Sequence, residues 1–218
     1  MSIADSPANP ERALALSYVV RGRPAAEAIF VLDDRLAAIL RRTSDPLVGQ
    51  MRLTWWHEAL IALDGAPPPA EPALEALARD VLPLGMAGRE LAAIVDGWEA
   101  ALEDPIAEET LTRYAGRGRA VFEAVGRLIG ADDAPIGAAG EGWALADFAG
   151  HVRDPAVAAA AAAMATALLG AALAGRWSRP GRALGALAHL ARLDLRGVGQ
   201  TGTPRRIARM LRHRLTGR

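Results

Sequence analysis

Cysteine is absent from the 218 residues, which removes disulfides, thiolate metal sites and a cysteine nucleophile together. Lysine is absent as well: every one of the 25 side-chain cations is Arg, so a Schiff-base or phosphate-loop lysine is excluded. Aromatic residues make up only 5%, leaving Leu and Ala to fill the interior, and Ala permits close helix approach. No Gly-x-Ser-x-Gly elbow occurs, so nothing points to a serine hydrolase. After Asp194 there is no acid. That last stretch carries seven Arg, while residues 1–194 hold 18 Arg against 25 acids, so a formal charge of zero hides a basic end on an acidic body.

What is present is a globular composition, 51% hydrophobic and 23% charged, of a length suited to one domain. Residues 1–12 have acids and prolines where a leader would need a basic start and an apolar run, so a cytoplasmic protein is expected. Helical periodicity dominates, without sustained two-residue alternation. The pattern predicts helices over 11–20, 24–42, 46–63, 72–82, 88–103, 108–129, 137–151, 155–174, 180–193 and 204–215. Several begin with Pro behind an acidic cap, as in Asp45-Pro46 and Asp154-Pro155. No internal repeat is visible, and one all-α domain follows. The uncharged Ala-rich run at 156–175 is long enough to cross a bilayer, but its weak hydrophobicity suits a buried core helix better.

Three stretches carry a family resemblance: AIFVLDDRL at 28–36, PLVGQMRLTWWHEAL at 46–60 and PPPAEP at 67–72. Together they resemble the squalene/phytoene synthase family, closest to its branch with a G-x-x-R-x-x-W-W-R-x-x-L helix, which includes a respiratory complex I assembly factor. The likeness continues more weakly through LTRYAGRG at 111–118 and AGEGWALA at 139–146. It implies a single-domain helical bundle of isoprenoid synthase type, shortened here, over residues 1–218. It also implies Mg²⁺-dependent condensation of prenyl diphosphates, with the metal held between two acid-rich helices.

The acids that this chemistry needs are incomplete. Carboxylates must lie four residues apart to share a helix face, yet Asp33 and Asp34 are followed at that spacing by Ala37 and Ala38. The matching late segment, GRWSRPGR at 175–182 and on to Asp194, offers no acidic pair. Glu71/Glu75, Glu99/Glu103 and Asp104/Glu108 have the spacing but fall elsewhere and read as solvated charge. The resemblance therefore implies a catalytically degenerate member with a binding or assembly role, needing no cofactor. An active Mg²⁺-dependent prenyltransferase and a membrane-surface adaptor are the alternatives.

The ligand candidates are Asp33 and Asp34 as a residual metal or water site, with Arg52 and Trp56 on the two-Trp helix. His57 stands where that branch has Arg, so any anion contact there would depend on pH. Asp147, His151 and Asp154 recur at i, i+4 and i+7, but Asp154 before Pro155 is better placed as a helix cap. The final helix is basic and amphipathic, with Ile207, Met210, Leu211 and Leu215 expected on one face and Arg205, Arg206, Arg209 and Arg212 around them. That face suits either the net-negative body or an anionic membrane surface at the inner face of the membrane. Expected partners are a prenyl diphosphate or other isoprenoid and a membrane-complex client protein; nucleic acid is not expected, since no basic face occurs elsewhere.

Overall fold

The computed structural model describes residues 9–43, 45–198 and 200–218, so the acidic start at 1–8, Ser44 and Gly199 lie outside the described residues. Among the described residues there are ten α-helices and no strand. They are α1 Pro10–Leu16, α2 Arg23–Arg42, α3 Pro46–Ala62, α4 Pro72–Asp80, α5 Gly88–Ala100, α6 Glu108–Ile129, α7 Ile136–His151, α8 Pro155–Ala172, α9 Arg182–Asp194 and α10 Pro204–Thr216. A 3₁₀ turn at Leu82–Leu84 joins α4 to α5.

Local chemistry sets these boundaries. Asp45 and Asp154 accept backbone N–H groups of α3 and α8 from the N-cap position, each ahead of a proline in the first turn. Glu71 does the same for α4 and Asn9 for α1. Gly130, with φ of 72°, closes α6 in the left-handed conformation that a Cβ would disfavour.

Antiparallel α6 and α7 form the spine, with α5 packed on one side and α8 and α9 on α7. Their crossing depends on missing side chains. A Cβ on Gly118 would lie 2.0 Å from the Gly140 carbonyl oxygen, and one on Gly140 would lie 2.1 Å from that of Gly118. Each glycine lets the opposite backbone in. α2 lays a stripe from Ala25 through Ile29, Leu32 and Leu36 against this spine and against α4. On α3, Leu53 and Leu60 are fully buried, each contributing about 1.5–3 kcal/mol.

The interior is organised differently from expectation at the Ala-rich helix. α8 has the length and mean hydropathy (1.7) of a membrane span, yet only 22% of it is buried. It touches α7 and α9 through Ala161, Ala165, Leu169 and Ala172 and leaves its other faces open. Alanine's short side chain makes that exposure inexpensive. The surrounded helix is α9, in which every residue from position 183 to 191 is buried, because α1, α7, α8 and α10 pack around it.

Candidate functional site

A cleft of about 300 Å³ opens where α2, α5, α6, α7 and the end of α9 meet. Its walls carry Arg12, Arg41 and Arg117 against Asp33, Asp34, Asp147 and Asp194. At its floor lies Arg117, 1% exposed, beside Asp33, 4% exposed. Arg117 gets there because α5 has no side chain in the way: a Cβ on Gly97 would stand 2.5 Å from the Cβ of Arg117.

The guanidinium of Arg117 sits in a box of rings, 4.0 Å from the centre of Trp98, 4.9 Å from Tyr114 and 5.0 Å from Trp143. Such faces attract a cation through their quadrupoles. Its Nη1 donates to the Tyr114 hydroxyl at 2.6 Å. Its Nε lies 3.3 Å from Asp33 Oδ1, an ion pair without the alignment of a hydrogen bond, so that N–H is buried and unshared among the described residues. Asp147 is a more distant counter-charge, with Oδ2 3.8 Å from Nη2. Asp33 Oδ1 accepts instead from the indole of Trp98 at 2.9 Å.

Burial pushes the Asp33 carboxyl above the usual range, and the Arg117 charge and the Trp98 hydrogen bond only partly offset it. Burial likewise raises the Tyr114 hydroxyl. Asp34 is taken up at the cleft wall by Arg12, whose Nη1 donates to Oδ1 at 3.0 Å and whose Nη2 pairs with Oδ2.

An apolar pocket of about 260 Å³ adjoins the cleft and shares Ala37, Arg41, Trp98, Asp147 and His151 with it. Leu40, Ala101, Ile106, Tyr114, Phe148 and Val152 line the remainder. One polar end and one greasy end, side by side, suit an amphiphile.

The sequence-predicted residues are thus divided. Asp33 and Asp34 line the cleft, whereas Arg52 and Trp56 do not. Arg52 is exposed and donates to Thr43 Oγ1 at 3.1 Å. Trp56 is buried, edge-on to Trp55 at 5.4 Å, while Trp55 is 45% exposed. His57 faces Asp96 of α5 at 3.5 Å. Of the i, i+4, i+7 set, Asp154 caps α8, and Asp147 and His151 stand together at the cleft.

Arg117, Trp98, Tyr114 and Trp143 were not singled out by sequence. A signal existed: Arg117 falls on the apolar stripe of α6 between Tyr114 and Val121, where a charge demands a buried partner.

The basic final helix needs correction. Its inward face is Arg206, Met210 and His213, and Leu211 and Leu215 point outward at 42% and 77% exposure. Arg206 therefore offers nothing to a membrane. Its Nε and Nη2 donate to the two oxygens of Glu11, both at 2.8 Å, and Nη1 pairs with Asp194. Burial raises the Glu11 carboxyl, but the hydrogen bonds from Arg206 and from the Gly202 N–H outweigh it and leave it below its ordinary value. Arg209 is half-buried, with Nη2 2.6 Å from His189 Nε2. Only Arg205 and Arg212 of the four are exposed.

The carboxylates present do not suit a divalent metal. Mg²⁺ takes free oxygen ligands, whereas Asp33 Oδ1 is already engaged by Arg117 and Trp98 and Asp34 by Arg12. No group of three or more His, Cys, Asp or Glu side chains converges among the described residues. No protein-family model matches the chain, and neither does any curated protein or solved structure.

Proposed function

We propose that the chain is a shortened protein of isoprenoid synthase type, resembling the squalene/phytoene synthases, whose diphosphate chemistry has been lost and which works by binding, as a ligand carrier or assembly partner at or near a membrane. One observation carries the reading. Asp33, the acid that the resemblance assigns to the metal, is buried against Arg117. With Ala37 and Ala38 four residues beyond the two Asp, no second carboxylate stands on that face.

The joined cleft and pocket support a binding role. The apolar side is sized for part of an isoprenoid chain, and Arg41 stands where the two spaces meet, able to hold an anionic end. A client protein of a membrane complex is the macromolecular partner this reading favours.

Incubation of the purified protein with labelled farnesyl and geranylgeranyl diphosphates, with and without Mg²⁺, tests it. The expected result is thermal stabilisation that does not require Mg²⁺ and no condensed product. Metal-dependent product overturns the reading, and absence of both product and stabilisation removes the isoprenoid as ligand.

A further inference from the structure

On another part of the surface lies a groove of about 340 Å³ that contains, among the described residues, four arginines and no acid: Arg21, Arg179, Arg182 and Arg214. They come from four separate elements, namely the α1–α2 connector, the α8–α9 connector, the start of α9 and the last turn of α10. Among the described residues none of the four forms an ion pair. Asp133 packs against Gly181 close by, but both its oxygens are held by Ser178, from N–H at 2.7 Å and from the hydroxyl at 2.6 Å, and it does not line the groove.

Converging like charges repel, and in a concave wall they focus a positive field that a bound anion relieves. Two of the residues that line it also carry a donor in need of a partner. The Tyr18 hydroxyl and the Arg182 Nε are buried without a hydrogen-bond partner among the described residues. Arg182 is held in place by its Nη1, which donates to the carbonyl oxygen of Arg214 at 2.7 Å. Arg214 is stacked over the Tyr18 ring at 4.7 Å. Val19, Ile129 and Pro180 supply an apolar floor beside these donors.

We propose that this groove binds a phosphate monoester borne on an apolar group, with the guanidinium forks and the Tyr18 hydroxyl donating to the phosphate oxygens and the apolar floor covering the attached carbon chain. Guanidinium geometry matches phosphate oxygens two at a time, and three or four such forks suit a doubly charged head better than a carboxylate. The site is separate from the cleft of Asp33 and Arg117, so it stands or falls independently of the function proposed for that cleft.

The test is calorimetric titration of the full-length chain with monomeric dihexanoyl phosphatidic acid, with dihexanoyl phosphatidylcholine of the same chains, and with inorganic phosphate. Phosphatidic acid is expected to bind about tenfold or more tightly than phosphatidylcholine. Arg179→Ala/Arg214→Ala is expected to weaken it about tenfold and Tyr18→Phe about threefold. Arg153→Ala/Arg196→Ala removes equal charge from exposed positions outside the groove and is expected to change it less than about twofold. Circular dichroism melts confirm that each variant is folded.

Displacement by inorganic phosphate at similar concentration identifies a soluble phosphate ester as the source. Failure of phosphate to compete, with groove-dependent sedimentation on phosphatidate vesicles, identifies a lipid headgroup. Equal affinity for phosphatidylcholine, no binding of either phosphate probe, or an equal loss in the Arg153/Arg196 variant overturns the proposal.

Discussion

Arg117 and Arg206 are both buried cations, but their surroundings divide them. Arg206 has a full complement: two aligned bonds to Glu11, a third contact to Asp194, and a Glu11 that also takes the Gly202 N–H. Arg117 has one unaligned carboxylate, one hydroxyl and three ring faces, and keeps an N–H unshared. Their acids respond in opposite directions, Glu11 held below its ordinary value and Asp33 pushed above it. The first arrangement is a clamp that ties α10 and α1 to the body. The second leaves electrostatic demand unmet beside a cleft, which is the pattern of a binding site.

The sharpest way to break this contrast is to remove one acid from each pair. Glu11→Ala strands Arg206 and is expected to lower the unfolding free energy by roughly 3–5 kcal/mol, read from denaturant midpoints. Asp33→Asn keeps an acceptor for Trp98 and leaves Arg117 its rings and Asp147, so a loss of only about 1–2 kcal/mol is expected. Equal losses would erase the distinction.

The pH dependence should separate them by sign. A carboxyl lowered by folding adds stability above its ordinary pKa of 4.5 that is lost as pH falls through the folded value, so Glu11→Gln should lose most relative to the native chain at neutral pH. A raised carboxyl does the reverse: native stability declines as pH rises from 3.8 through the folded value, so Asp33→Asn should improve relative to the native chain over that rise. Paired thermal melts from acid to neutral pH check both slopes.

A third acid-sensitive element lies behind the clamp. His189 and His213 stack edge-on at 4.8 Å, and both rings are buried. Burial and the Arg209 charge bring His189 down to about 2, and burial brings His213 down to about 4, both from 6.5. The unfolded chain therefore takes up protons first, and stability is expected to fall as pH drops from 6.5 towards 4. His213→Leu should flatten that decline in a pH series of melting temperatures.

The smallest effect is expected at Arg205 and Arg212, which are exposed and form no ion pair among the described residues: alanine at both should move stability by less than about 0.5 kcal/mol in the same denaturant measurement.

Much of the helical order was legible because it is written locally, in caps, prolines and periodicity. Asp45 and Asp154 behave as the caps that their Asp-Pro pairs announce, and α6 begins and ends where its pattern does. Which helix is surrounded was not legible. α8 reads as more apolar than α9, yet α9 is enclosed while α8 is half open, since enclosure depends on how many neighbours arrive. The same holds for α10, where carboxylates distant in sequence, Glu11 and Asp194, draw Arg206 inward over the apolar flank. In the cleft, Asp33 and Asp34 were visible as an acidic pair on a helix. Their engagement by Arg117 and Arg12 is tertiary, and only the charge on α6's apolar stripe hinted at it.

The most direct measurement follows the Trp98 indole N–H, which donates to Asp33, by NMR during a Mg²⁺ titration, with the resonance assigned among the five tryptophans from Trp98→Phe. With Asp33 Oδ1 held by Trp98 and paired with Arg117, Mg²⁺ should leave the resonance fixed through millimolar concentrations, whether or not a prenyl diphosphate analogue is already bound. A saturable shift that Asp33→Asn abolishes would show that the carboxylate is free to bind metal and would contradict the proposed loss of diphosphate chemistry.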